Sequence, residues 1–130
     1  MTLLDEYVND LIELQNVDFG TYVENKLIHR TVERTLHLAV EACLDIGQHI
    51  IAQEGFRMAK DNKDVFVVLS EENIVPPELL PSLIAMAKFR NLIVHDYARI
   101  DNQVIFNILK SRLGDLTGFA QAIVTYLDAK

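Results

Sequence analysis

Val32-Glu33-Arg34-Thr35-Leu36-His37-Leu38-Ala39-Val40-Glu41-Ala42-Cys43-Leu44-Asp45-Ile46 decides the fold class. Extended in both directions, it shows Ile28, Val32, Leu36, Ala39, Cys43, Ile46 and Ile50 recurring at intervals of three and four residues. A helix with 3.6 residues per turn lines such positions up on one face. No glycine or proline interrupts the chain between Gly20 and Gly47. Thr21-Tyr22-Val23-Glu24 reads as a capping box, in which the threonine hydroxyl and the glutamate carboxylate satisfy first-turn amides. The pattern therefore predicts a helix from Thr21 to about Glu54, stopped by Gly55. At 1.5 Å per residue it would span roughly 50 Å, and Gly47 is the place for a bend.

The same punctuation holds on either side. Leu3 to about Val17 reads as a first helix that ends at Asp18-Phe19-Gly20. Downstream, a short helix is expected from about Asp64 to Glu72. Val65-Phe66-Val67-Val68 has the composition of a strand, but no second run is present to pair with it. Pro76-Pro77 opens a fourth helix, since proline suits a first helical turn. Asp101 is placed to cap a last helix with the stripe Ile105, Leu109, Leu113, Leu116, Ala120, Ile123 and Leu127. Repeats, linkers and low-complexity tracts are lacking. The expectation is one all-α domain over residues 1–130, a four- to five-helix up-and-down bundle.

Composition agrees. At 130 residues the chain has the length of one domain, and 50% of it is hydrophobic, enough for a packed core without staples. The single cysteine, Cys43, precludes an internal disulfide, and its neighbours Val40, Leu44 and Ile46 give it a core position. Met1 to Asp10 carries acids rather than a basic then apolar leader, and runs such as Val65 to Leu69 are too short to span a bilayer. A soluble cytoplasmic protein with no membrane partner is expected. The net charge of −7 argues against a general nucleic-acid coat. It leaves room for RNA bound locally in a cleft.

The residues with chemistry are concentrated in Arg90-Asn91-Leu92-Ile93-Val94-His95-Asp96-Tyr97. On an ideal helix Arg90, Val94 and Tyr97 share one stripe, and Asn91 and His95 the neighbouring one, which leaves Arg90 and His95 about 140° apart. A long arginine stem or a distorted helix would bring them together. Read by spacing alone, the pair fits a solvated charge and a satisfied polar residue as well as a site. Lys26, Arg30, Arg34 and His37 form a second polar stripe on the long helix, suited to an RNA backbone, an acidic partner or plain solvent. His37 with Glu41, and Asp45 with His49, have i,i+4 spacing but no third ligand, so no metal is expected. The five glycines are dispersed and offer no phosphate-cradling loop, and no cofactor is expected.

Arg90-Asn91 followed by three residues, His95, one residue and Tyr97 resembles the signature of the HepT group of HEPN proteins. Met86-Ala87-Lys88-Phe89, Ile100-Asp101 and the Val32–Ile46 string are similar to that family too, so the resemblance covers nearly the whole chain. It implies a toxin of a toxin–antitoxin pair, a metal-independent endoribonuclease with Arg90 and His95 catalytic. The residue types suit the reaction. Histidine titrates in the range for moving the 2′-hydroxyl or leaving-group proton, and arginine offers a planar fork to the phosphate. Asn91 is expected to support His95 from the i,i+4 position. One chain offers one motif histidine where the reaction benefits from two, so a homodimer with both motif helices at the two-fold axis is expected; the family implies the same. The resemblance further implies a minimal nucleotidyltransferase of the MntA kind as antitoxin partner, which adenylylates the Tyr97 hydroxyl. The alternative is a non-catalytic HEPN module that binds a nucleotide or only docks that nucleotidyltransferase.

Overall fold

The computed structural model describes the backbone of residues 2–95 and 97–130, and the side chains of residues 3–95 and 98–130. Among these residues every regular element is a helix: α1 Thr2–Leu14, α2 Phe19–Glu24, α3 Lys26–Glu54, α4 Asn62–Glu71, α5 Leu80–His95, α6 Asn102–Ser111 and α7 Leu113–Asp128, with a 3₁₀ turn at Tyr97–Arg99. The long helix α3 is the central strut and touches α1, α2, α4, α5 and α7. Its expected stripe is buried at Val32, Leu36, Ala39, Cys43 and Ile50, with Ile28 and Ile46 partly buried against the core. Burial also pushes the Cys43 thiol up to about 12. The all-α bundle is as expected, and no helix among the described residues is long and apolar enough to cross a membrane.

The chain is cut into more pieces than the apolar stripes suggest, and each cut has a local cause. Thr21 caps nothing. Asp18 does, accepting from the Thr21 amide at 2.7 Å, so Asp18-Phe19-Gly20 opens α2 instead of ending α1. Asn25 then adopts extended backbone (φ −86°, ψ 101°) and its side chain caps α3 by accepting from the Ile28 amide at 3.1 Å. Gly55 ends α3 as expected, in the left-handed region at φ 70°, where its N–H reaches Ile51 O. Asp61 caps α4 by accepting from the Asp64 amide, which starts the helix before Asp64.

Pro76 and Pro77 precede α5 rather than sit in it; turns from their carbonyls to Leu79 and Leu80 lead into the helix. Asp101 caps α6 through the Gln103 amide at 2.8 Å. The expected last helix breaks at Arg112 (φ −117°, ψ 1°) into α6 and α7, just before Gly114, a weak helix former. The stripe nonetheless runs on through Leu113, Leu116, Ala120 and Ile123, whereas Leu127 is exposed.

Gly47 has a packing role. A Cβ there would lie 2.6 Å from Val65 Cγ1 and 3.1 Å from Leu69 Cδ1, so the glycine lets α4 press close against an unbroken α3. Val65, Phe66, Val68 and Leu69 of α4 are buried, and Phe66 meets Phe119 of α7 edge to face with centroids 5.6 Å apart. Each such buried side chain stabilises by about 1.5–3 kcal/mol. This core fixes the separation between α3 and α5, where the polar residues meet.

Candidate active site

α5 is apolar on most of its surface. Leu83, Met86, Ala87 and Phe89 are buried and anchor the helix, and Leu92 and Val94 remain exposed. Arg90 follows directly on the buried Phe89, so its guanidinium is drawn along the α3–α5 boundary and keeps only 18% side-chain exposure. There its Nε donates to Glu41 Oε1 of α3, and its Nη1 donates to Asn91 Oδ1 at 3.1 Å. The same Asn91 oxygen accepts from Asn62 Nδ2 of α4 at 3.2 Å. Two acceptors from different helices therefore hold one arginine. Charge-assisted bonds of this kind are stronger than neutral ones.

Glu41 also links the arginine to the second polar stripe. His37 Nε2 lies 3.3 Å from Glu41 Oε1, and Arg34 Nη1 lies 3.5 Å from His37 Nδ1. Arg34 can only donate, so Nδ1 is the accepting nitrogen and Nε2 carries the hydrogen given to Glu41. His37 and Glu41, spaced like metal ligands, are committed instead to two arginines. Arg30, Glu33, Arg34 and His37, with Ile93 of α5, line an open surface pocket of about 200 Å³. Lys26, at the first residue of α3, is exposed and outside that lining.

His95 is the last residue of α5 and is exposed. It takes no part in the Arg90 network among the described residues. The Asn91 oxygen accepts from Arg90 and Asn62, and no bond joins Asn91 to His95 among the described residues. After His95 the α-helix gives way to the 3₁₀ turn Tyr97–Arg99. Asp96 and the Tyr97 side chain lie outside the described residues. Glu41, which spacing paired only with His37, and Asn62 are neighbours of Arg90 that the sequence reading did not assign to it. A carboxylate between the buried positions Val40 and Cys43 was the available signal, since a half-buried acid calls for a cation.

A model of the HepT-like ribonuclease family matches residues 4–123, and the chain belongs to that family. It is 26% identical over 127 residues to the tRNA nuclease HepT of Aphanizomenon flos-aquae, covering 98% of this chain and 86% of that protein. It is also 26% identical over 106 residues to the mRNA nuclease HepT of Shewanella oneidensis, covering 82% of this chain and 80% of that one. Its fold is similar to that of the tri-AMPylated Shewanella oneidensis HEPN toxin solved in complex with MNT antitoxin, with a TM-score of 0.87 at 22% identity over 95% of this chain and 92% of that one.

Proposed function

We propose that this chain is the toxin of a toxin–antitoxin pair, an endoribonuclease that needs no metal and acts as a homodimer with Arg90 and His95 of both copies at one cleft. The observation that carries the reading is Arg90, held by Glu41 and Asn91 on the helix that ends in an exposed His95. One histidine takes the proton of a ribose 2′-hydroxyl while its oxygen attacks the adjacent phosphorus. The P–O5′ bond breaks, the leaving oxygen takes a proton from the second histidine, and a 2′,3′-cyclic phosphate and a 5′-hydroxyl result. Arg90 opposes the negative charge that builds on the phosphoryl oxygens. Leu92 and Val94, 37% and 43% exposed on the motif helix, support burial of α5 against a second copy. Arg30 and Arg34, at the pocket beside Ile93, and Lys26 further along α3, suit contacts to the RNA backbone or to an acidic partner.

The antitoxin is a minimal nucleotidyltransferase. The Tyr97 hydroxyl attacks the α-phosphorus of ATP, pyrophosphate leaves, and each added AMP brings negative charge and bulk that repel RNA. Purified protein with tRNA and mRNA in EDTA tests the enzyme reading. Cleavage to 2′,3′-cyclic phosphate ends, lost in Arg90→Ala and His95→Ala, is the expected result; a Mg²⁺ requirement would sink it. Intact mass after incubation with antitoxin and ATP should rise in AMP-sized steps in the parent and stay constant in Tyr97→Phe. A parent that is adenylylated yet cuts no RNA would instead establish the docking-module reading.

A further inference from the structure

We infer that Glu41 is a positioning residue for the catalytic arginine: it fixes the direction in which the Arg90 fork presents its free N–H groups to the scissile phosphate. This rests on the ribonuclease reading and adds a residue from a different helix to it. The guanidinium has five N–H donors. Nε is spent on Glu41 and one hydrogen of Nη1 on Asn91, and the others meet no partner among the described residues. The two commitments are on different sides of the planar group, so it is held at two points and both hydrogens of Nη2, which lies between them, are left to face a ligand. A guanidinium held at two points loses most of its freedom to swing about its long stem. A phosphoryl oxygen in the transition state then finds donors already oriented, without reorganisation at the moment of reaction.

The carboxylate is itself fixed. The same oxygen, Glu41 Oε1, takes Nε2 of His37, and Arg34 holds that ring from the other side, so α3 contributes a chain of three side chains ending on Arg90. Asn91 is steadied by Asn62 in the same way. Neither Glu41 nor Asn62 belongs to the motif helix. A helix that carries a catalytic arginine on an apolar surface has no neighbour of its own to hold the Nε edge, and α3 supplies it.

Steady-state cleavage of one RNA by the intact protein tests this with Glu41→Ala and Glu41→Gln. Glu41→Ala should lower kcat about 10- to 100-fold, the range for removing a partner that orients a functional group. KM should change less than about threefold, because affinity for RNA is spread over many phosphates. Glu41→Gln keeps an oxygen that accepts from Nε, and should recover most of the lost kcat. In an Arg90→Lys background, which lacks the fork, Glu41→Ala should cost little more. A parental kcat in Glu41→Ala would overturn the inference. So would a loss confined to KM, a loss that tracks a lowered thermal midpoint, or full additivity with Arg90→Lys. A parent that cuts no RNA would overturn the ribonuclease reading and this inference with it, whereas an active parent with an indifferent Glu41→Ala overturns the inference alone.

Discussion

Arg57 and Arg90 both reach carboxylates on another segment, and both lie next to α4, yet they are used in opposite ways. Arg57 sits in the loop after α3 and spends its whole fork inside the protein. Nε and Nη2 donate to Glu71 at 2.8 and 3.1 Å, Nη1 and Nη2 donate to Asp64 at 2.8 and 2.9 Å, and Nη1 also reaches Met58 O. Nothing is left for a ligand although the side chain is 41% exposed. Arg90 is more deeply placed, at 18% exposure, and has only two of its donors engaged. Exposure is therefore a poor guide to availability; the number of uncommitted donors is the better one. A saturated arginine staples a loop, and an unsaturated one held at two points is ready for a phosphate.

The sharpest way to break this contrast is to delete each arginine in turn. Arg90→Ala should cut RNA cleavage by about 10²–10³-fold or more, since it removes a donor to the transition state, with little change in helical circular dichroism. Arg57→Ala should leave cleavage within about twofold, because its donors touch no reacting group, and should lower the thermal midpoint by a few degrees. Kinetics and melting curves on the two variants decide it. Equal losses of cleavage would mean that the saturated arginine also serves the site.

A second substitution separates scaffold from site along α3. In Gly47→Ala the new Cβ would meet Val65 Cγ1 at 2.6 Å, and Val65 is β-branched and fully buried. Overpacking of this kind costs about 1–3 kcal/mol, partly offset by the better helix propensity of alanine. The chemical denaturation midpoint should fall and recover in Gly47→Ala/Val65→Ala. Cleavage should follow the folded fraction, because Glu41 and Arg90 keep their places when α3 and α4 separate slightly at the far contact. A kcat lowered in fully folded protein would show that α4 packing is transmitted to Arg90 through Asn62 and Asn91.

These residues also show how far the chain can be read without a structure. The stripe from Ile28 to Ile50 predicted α3 because period and burial have one cause, the apolar face that must be covered. Arg90, Asn91 and His95 stood out on so apolar a helix, but their types and spacing alone fitted plain solvent as well, and it was the resemblance of the longer string that singled them out. The cut at Asn25 and the break at Arg112 were not, since apolar periodicity continues through both and only the local backbone departs. Glu41 escaped for a different reason. It lies 49 positions from Arg90, and an i,i+4 partner, His37, offered a nearer explanation. Asn91 was given to His95 by the same preference for local spacing, whereas the tertiary contact with Asn62 turns its oxygen to Arg90.

The smallest expected effect is in acid, and it tests the staple from the carboxylate side. Hydrogen bonds from Arg57, joined by the Lys60 amide, hold the Asp64 carboxyl well below the usual carboxylate range, and those from Arg57 lower Glu71 in the same direction. A depressed folded value means that the unfolded chain binds the proton more readily. The pair therefore contributes stability above the ordinary carboxylate range, and that contribution is lost as pH falls through the lower folded values. Glu71 is 51% exposed and Asp64 keeps 15%, and the arginine they share is itself 41% exposed, so screening keeps the contribution small and salt-sensitive. Melting midpoints recorded from neutral pH downward should show an acid limb that is shallower in Arg57→Ala, where Asp64 and Glu71 return towards ordinary values. The difference between parent and variant should shrink in high salt and vanish once both carboxylates are protonated. Parallel acid limbs in the two proteins would mean that the fork of Arg57 holds geometry without linking protons to folding.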